Sequence, residues 1–242
     1  MRRFAKLCLV TAILGSAGVC FVQLQRQQLS AGWQPDGGIG LRRSIAIATL
    51  KNIAAAQARC QASGVIDVNN NGVGEYGFFG ELSGGVGVRE AGGNGTPISP
   101  PVLSNAFSNV DPNSQFLRSG YVFQMYLPDS TSQGVTEVAG TNPPTRNMGG
   151  DPGNTQGVDA ARAEVLWCCY AWPVAFGLSG KDALFINQSG KVLSSRNHVT
   201  KYNGASRPPT PMAAFLPGQT NIGGTIAADT IGSDGERWVV IQ

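Results

Sequence analysis

The fold is decided by residues 41–82, which read LRRSIAIATLKNIAAAQARCQASGVIDVNNNGVGEYGFFGEL. Over residues 41–62 the apolar side chains recur mainly at steps of three and four, which places them on one face of a helix. The alanines at 54, 55, 56 and 58 favour that helix, and Gly64 provides a stop after it. The stretch therefore predicts one amphipathic helix of about five to six turns, packed on a sheet.

The helix leads into a short polar loop at residues 67–76, DVNNNGVGEY. Side-chain oxygens at alternate positions, followed by a glycine, match the first half of a calcium-binding loop. The predicted ligands are Asp67, Asn69, Asn71, Val73 and Glu75. The twelfth position, where an EF-hand carries its bidentate glutamate, is Phe78, so Glu75 would have to close the site. Any bound Ca²⁺ should then be held weakly. The alternative is that Asp, Asn and Gly only turn the chain.

The first 29 residues have the layout of an export segment. A basic start at Arg2, Arg3 and Lys6 precedes an apolar run over residues 7–24, as in a secretory signal or a membrane anchor. Both a cleaved signal and a retained anchor fit this pattern. We therefore expect an exported protein, either anchored in the inner membrane and facing the periplasm, or released into the periplasm or medium. Residues 30–40 are rich in Gly and Pro and are predicted to be a spacer that interrupts the helix at Pro35.

The charge distribution argues against nucleic-acid binding. The chain carries a formal net charge of +3, and residues 1–29 hold four basic residues and no acid, which leaves the remainder at −1. A nucleic-acid-binding domain needs a basic surface to neutralise phosphates. The N-terminal segment predicts the inner membrane as a partner, and the charge of the remainder predicts no nucleic-acid partner.

Three cysteines lie beyond the export segment, at Cys60, Cys168 and Cys169. In an oxidising compartment Cys60 could form a disulfide with one of the other two. Three buried thiols are the equally weighted alternative.

The remainder of the chain predicts short strands separated by long loops rich in Gly and Pro. Bulky, β-prone residues predict strands at 119–128, 166–174, 183–188, 191–194 and 238–241, with helical turns at 102–107 and 158–165. Tight Gly and Ser turns join the three strands between 166 and 194, so they should form an antiparallel meander. The predicted fold class is α+β, with residues 41–242 as one domain.

Catalytic signatures are sparse. His198 is the single histidine, and its polar neighbours predict a solvated loop. The chain contains no GxSxG, P-loop or dinucleotide motif. An envelope hydrolase that uses Glu75, Glu81 or Asp182 is the least favoured hypothesis, and we predict a protein that is not an enzyme.

Several motifs in order resemble bacterial type IV pilins and the pseudopilins of type II secretion. They are the basic start and apolar segment, the IAAAQ helix at 53–57, DVNNNGVGEYG at 67–77, GYVFQMYLP at 120–128 and FINQSGKV at 185–192. The chain differs from true prepilins in lacking a Gly-Phe peptidase site with a Glu five residues into the mature chain. The resemblance implies a long helix laid on an antiparallel sheet, a role in envelope assembly or scaffolding through self-assembly or related secretion proteins, and in some members a structural calcium. A calcium-dependent extracellular binding module is the second hypothesis.

Overall fold

The computed structural model describes residues 35–140 and 149–241, of which residues from Ile39 onward belong to one compact unit. The predicted signal or anchor at residues 1–29 lies outside the described residues. Within them, no helix combines the length and the apolar composition that crossing a bilayer requires.

The fold is α+β, with one long helix and a mostly continuous antiparallel sheet, as the sequence predicts. The helices are α1 (Pro35–Ser63), α2 (Phe79–Leu82) and α3 (Ala160–Ala163), with short 3-10 helices at Asn105–Ser108 and Gly204–Ser206. The strands are β1 (Arg89–Glu90), β2 (Gly93–Asn94), β3 (Phe116–Arg118), β4 (Tyr121–Pro128), β5 (Gly134–Val135), β6 (Cys168–Pro173), β7 (Ala183–Asn187), β8 (Leu193–Ser195), β9 (Thr230–Ile231) and β10 (Arg237–Val240).

The long helix begins earlier than predicted. It starts at Pro35 and includes Gly37, Gly38 and Gly40, so residues 35–40 are helical and not part of a spacer. Proline is well suited to the first helical turn, where its missing N–H has no intrahelical partner. Each glycine costs about 1 kcal/mol relative to alanine, which the long helix beyond it can offset. The prediction that Pro35 interrupts the helix was therefore wrong.

Over the second half of α1, the apolar face of the helix packs into the core. Leu50, Ile53, Ala56 and Cys60 are fully buried, whereas the predicted first member of the stripe, Leu41, is 63% exposed. The predicted 3.6-residue period is thus confirmed for the part of the helix that lies over the sheet.

The main sheet has the strand order β3-β4-β6-β7-β8-β10-β9, with β5 paired to the far end of β4. Every pair in it is antiparallel, and the predicted meander β6-β7-β8 is confirmed. Strand β4 begins at Tyr121 and not at 119, because Ser119 and Gly120 have positive φ angles of 48° and 80° and form the two-residue turn that joins β3 to β4.

Both faces of the sheet are covered. One face packs against α1 through Phe123, Met125, Cys169, Leu184 and Ile186. The other face carries a second core, whose members from the sheet and the C-terminal part of the chain include Val122, Tyr170, Trp172, Phe185, Ala213, Ala214, Phe215, Ile222 and Trp238. All eight residues of β4 are consequently buried. The Pro-rich segment after residue 205 forms part of this second layer through Ala213, Ala214 and Phe215.

The two ends of the main sheet are short strands. β3 has three residues and β9 has two, whereas β4 has eight and β6 has six. Near the β3 end, Arg118 and Leu117 are exposed.

Candidate functional site

The junction between α1 and the sheet is built from the sequence EYGFFGEL at residues 75–82. Of these eight residues only Tyr76 is not fully buried. Four ionisable side chains are buried around this segment, which is unusual because burying a charge is costly unless it is paired or neutralised. We define the junction cluster as Gln57, Glu75, Glu81, Arg89 and Glu137, each at most 1% exposed.

Arg89 is the only cation of the junction cluster. Its Nε donates to Glu81 Oε1 at 3.0 Å, and its Nη2 donates to the carbonyl of Tyr76. Its Nη1 lies 3.6 Å from Glu75 Oε2, which is an ion-pair contact but too long for a hydrogen bond. Both side chains have no accessible surface, so their attraction is weakly screened by solvent.

Glu81 fixes the start of α2 and the path of β1. Its Oε2 accepts a hydrogen bond from the backbone N–H of Phe78 at 2.8 Å, and its Oε1 accepts one from the backbone N–H of Arg89 at 2.8 Å. The first bond belongs to a capping arrangement at the helix N-terminus. The carboxylate therefore ties two glycine-rich segments together from within the core.

Glu137 approaches the same segment from the other side. Its Oε2 accepts hydrogen bonds from the backbone N–H groups of Gly80 at 3.1 Å and Gly150 at 2.7 Å, and its Oε1 has no hydrogen-bond partner among residues 35–140 and 149–241. Gly149, at φ +64°, leaves room for this carboxyl, since an added Cβ there would collide with it. Burial raises the pKa of Glu137 to about 8, so the group is mainly protonated at neutral pH.

Gln57 links α1 directly to the junction segment. Its Nε2 donates to the carbonyl of Gly77 at 2.8 Å, and its Oε1 accepts from the backbone N–H of Gly77 at 3.0 Å. These two bonds provide hydrogen-bond partners for the buried N–H and C=O of Gly77, which do not pair with a strand.

Replacing Gln57 by leucine should lower the free energy of unfolding by about 2 kcal/mol. The change leaves the N–H and C=O of Gly77 buried without partners, and each such group costs about 1–3 kcal/mol. Urea denaturation followed by tryptophan fluorescence would measure the difference. Gln61→Leu is the matched control on the same helix, because Gln61 is only half-buried. Equal losses in the two variants would contradict the assigned role of Gln57.

The predicted calcium loop is an ordered turn on the surface. Asp67 accepts from the backbone N–H of Asn71 at 3.1 Å through Oδ1 and from that of Gly72 at 2.9 Å through Oδ2. Asn71 Oδ1 accepts from the N–H of Val73 at 2.8 Å, and Gly72 has a φ of 83° that permits the sharp bend. The Asn71 bond is an Asx turn, whereas Asp67 binds the backbone four and five residues further along the chain.

The structure brings Glu164 to this loop, which the sequence did not predict. The Nδ2 atoms of Asn69 and Asn71 donate to Glu164 Oε1 at 3.0 and 2.8 Å. Glu164 follows α3 and is 95 residues from Asn69, so no local pattern could indicate it. Asp67, Asn69, Asn71 and Val73 remain together at the surface with Glu164.

Glu75, the fifth predicted ligand, is not part of this surface group. It is fully buried, its Oε1 accepts from the N–H of Val68 at 2.7 Å, and its Oε2 faces Arg89. Burial raises the pKa of Glu75, and the Arg89 guanidinium partly opposes that rise. Across the described residues, no three His, Cys, Asp or Glu side chains are grouped so as to hold a metal ion.

Among the residues that the structure describes, Cys60, Cys168 and Cys169 are free, buried thiols. Cys60 and Cys169 lie in the core between α1 and the sheet, whereas Cys168 points to the opposite face of β6. Burial raises the pKa of Cys60 to about 12 and that of Cys168 and Cys169 well above the ordinary value. All three therefore stay protonated and weakly nucleophilic at neutral pH.

The three carboxylates of the hydrolase hypothesis do not lie in one site. Glu75 and Glu81 belong to the buried junction cluster, whereas Asp182 and the exposed His198 line a surface cavity of about 540 Å³. Asp182 is paired there with Arg43 of α1.

Comparison of the chain with known protein families, curated proteins and solved structures finds no match.

Proposed function

We propose that the protein is a non-enzymatic, exported, pilin-like structural or envelope-assembly protein. In this proposal the N-terminal segment holds it at the inner membrane, and the helix-on-sheet domain faces the periplasm. The observation that supports it best is the 29-residue helix α1, whose second half packs on one face of an antiparallel sheet and is held there by the junction cluster. This is the arrangement that the sequence motifs shared with pilins imply.

The chemistry of the buried polar groups is consistent with a structural role. Glu81 and Gln57 bond to backbone groups of the glycine-rich segments through both of their polar side-chain atoms, and Glu137 does so through one carboxyl oxygen. Side chains that hydrogen-bond to the backbone in this way stabilise the fold and have few free donors or acceptors with which to bind a substrate.

Photocrosslinking in the native host tests the assembly role. A crosslinking residue at Leu41, 63% exposed on α1, is expected to give a specific adduct with a second copy or another envelope protein. The same residue at Asn109, exposed in a loop on another part of the domain, serves as the control. A protein that gives no adduct from α1, and whose deletion leaves envelope and secretion unchanged, would contradict the proposal.

A second candidate function is calcium-dependent binding, and the position of Glu164 favours it. Asp67 and Glu164 supply two carboxylates, and Asn69, Asn71 and the Val73 carbonyl supply neutral oxygens, all of the hard type that Ca²⁺ prefers. The two amide groups turn their nitrogens toward Glu164, and rotation about their last side-chain torsion would present oxygens instead. In this revised set Glu164 replaces Glu75 as the closing carboxylate.

Calorimetry with the full-length protein should detect Ca²⁺ binding with a dissociation constant of about 10⁻⁴ to 10⁻³ M. Saturation at a 10- to 100-fold excess over that constant would stabilise the fold by roughly 1.4–2.7 kcal/mol. Asp67→Ala should abolish binding, and Glu164→Gln should weaken it about tenfold or more. Glu90→Gln, an exposed carboxylate elsewhere, is the control. If Ca²⁺ does not bind, the loop is a turn alone, and if Glu164→Gln binds normally, Glu164 is not the closing carboxylate.

A further inference from the structure

Part of the helix-facing side of the sheet is left open by α1. Leu184 of β7 packs under α1, and the strand register continues from Leu184 to Ser194 of β8 and on to Val239 of β10. Because directly paired residues point to the same side of a sheet, Ser194 and Val239 lie on the helix-facing side. Both line the cavity of about 540 Å³, which Arg43 borders from α1. We call this cavity the β8–β10 cleft, and besides the acids Asp182 and Glu236 its lining includes Ser194, Arg196, Val199, Ile231, Arg237 and Val239.

The acids of the β8–β10 cleft are already neutralised or bonded. Asp182 forms an ion pair with Arg43. Glu236 is 3% exposed, and its Oε1 accepts from the N–H groups of Val199 at 2.6 Å and Thr200 at 2.9 Å. Its other oxygen accepts from the Ser195 hydroxyl at 3.0 Å.

Two arginines of the cleft have no such partner. Arg196 and Arg237 are exposed, and neither makes an ion pair or a side-chain hydrogen bond with any residue that the structure describes. The last recorded pair of β8 and β10 is Ser195 with Trp238, and Arg196 and Arg237 are the residues next to that pair. Both line the same cavity, where neighbouring like charges repel each other. The site therefore has an excess of positive charge that an anion would relieve.

The same cleft exposes apolar surface next to the arginines. Val199 is 68% exposed, Ile231 is 44% exposed and Val239 is 40% exposed. Ile231 is paired directly with Arg237 across β9 and β10, so apolar and cationic groups alternate over a few ångströms. A ligand that filled the cleft would contact both kinds of surface.

We propose that the β8–β10 cleft binds a small amphipathic anion, namely a phosphate or carboxylate group carried on a short apolar chain. The planar guanidinium forks of Arg196 and Arg237 match either oxyanion, and the valine and isoleucine side chains cover the apolar part. The volume of about 540 Å³ falls within the range of small-molecule sites and is too small for a folded partner. This binding activity is independent of the assembly role and of the calcium loop.

Titration of the full-length protein with hexyl phosphate and, separately, with hexanoate tests the proposal by calorimetry. Saturable binding of at least one of them is expected, and the preferred one identifies the head group. A further titration uses dihexanoyl phosphatidylglycerol as monomers in solution. Tighter binding of this lipid than of hexyl phosphate would indicate a lipid phosphate, and tighter binding of hexyl phosphate would indicate a soluble one. Inorganic phosphate should bind at least tenfold more weakly than hexyl phosphate, because it lacks the apolar chain.

The variants Arg196→Gln and Arg237→Gln should each weaken binding of the preferred probe about tenfold. Both positions are exposed, so the fold should survive, and an unchanged circular dichroism spectrum would verify this. Arg207→Gln, an exposed arginine outside the cleft, should bind like the unmodified protein. The proposal is overturned if no probe binds at millimolar concentration, or if Arg237→Gln and Arg207→Gln bind equally well.

Discussion

Replacing Arg89 by methionine is expected to lower the free energy of unfolding by about 3 to 5 kcal/mol. Methionine fills similar space without charge, but it leaves Glu81 and Glu75 buried without their cation. It also removes the donor to the Tyr76 carbonyl. Breaking a buried ion pair from one side is costly because the remaining charge stays out of water. Urea denaturation monitored by the buried tryptophans would measure the loss.

The control for this substitution is Arg207→Met, at an exposed position where a change of about 0.5 kcal/mol or less is expected. The double variant Arg89→Met with Glu75→Gln should recover part of the loss, since one of the two uncompensated carboxylates is then neutral. Because the two residues interact, their effects should not be additive. A loss from Arg89→Met no larger than that of the control would show that Arg89 is not needed to neutralise the cluster.

The stability of the protein is expected to fall as the pH rises from about 5 to 8, mainly because of Glu137. Burial raises the pKa of this carboxyl from its ordinary value of 4.5 to about 8 in the folded state. Between these values the folded chain holds a proton that the unfolded chain has released, so the unfolded state is favoured as the pH increases. The full window corresponds to about 4 to 5 kcal/mol. Glu75, whose pKa is also raised by burial, contributes with the same sign.

Glu137→Gln should remove most of this pH dependence and stabilise the protein at pH 8. Glutamine reproduces the shape of the neutral acid, and its carbonyl oxygen can accept the hydrogen bonds from Gly80 and Gly150. The matched control is Glu90→Gln, an exposed position where the pH profile should not change. Urea midpoints measured at pH 5, 6, 7 and 8 would give the comparison. Parallel profiles for Glu137→Gln and the unmodified protein would contradict the role assigned to Glu137.

The elements that could be predicted from the sequence are those with a strong local pattern. The stripe Leu50, Ile53, Ala56 and Cys60 follows the helical period, and the meander β6-β7-β8 has bulky strands separated by short glycine turns. The predicted start of α1 is wrong because proline and glycine break a helix in its interior, whereas Pro35 lies in the first turn. A proline in the first turn of a helix costs little.

The candidate site was harder to predict because its members come from segments without periodicity. Arg89 and Glu137 lie in regions that the sequence indicates only as polar or glycine-rich loops, and only tertiary packing makes them buried partners of residues 75–82. The spacing of Glu75 from Asp67 predicts a ligand of the calcium loop. Spacing along a chain does not determine whether a side chain turns outward or into the core. Glu164 was missed because its contact with the loop spans more than 90 residues.

The short terminal strands of the main sheet restrict how copies of this protein can associate. β3 and β9 offer only three and two residues of backbone at the ends of the sheet, and Arg118 at the β3 end would bring a like charge next to its own copy. Proteins commonly use short and charged edges to prevent sheets of neighbouring molecules from joining into a continuous one. Any ordered assembly of this chain would therefore be held by side-chain contacts of its helix and loops, and would separate into intact, folded subunits when it is taken apart.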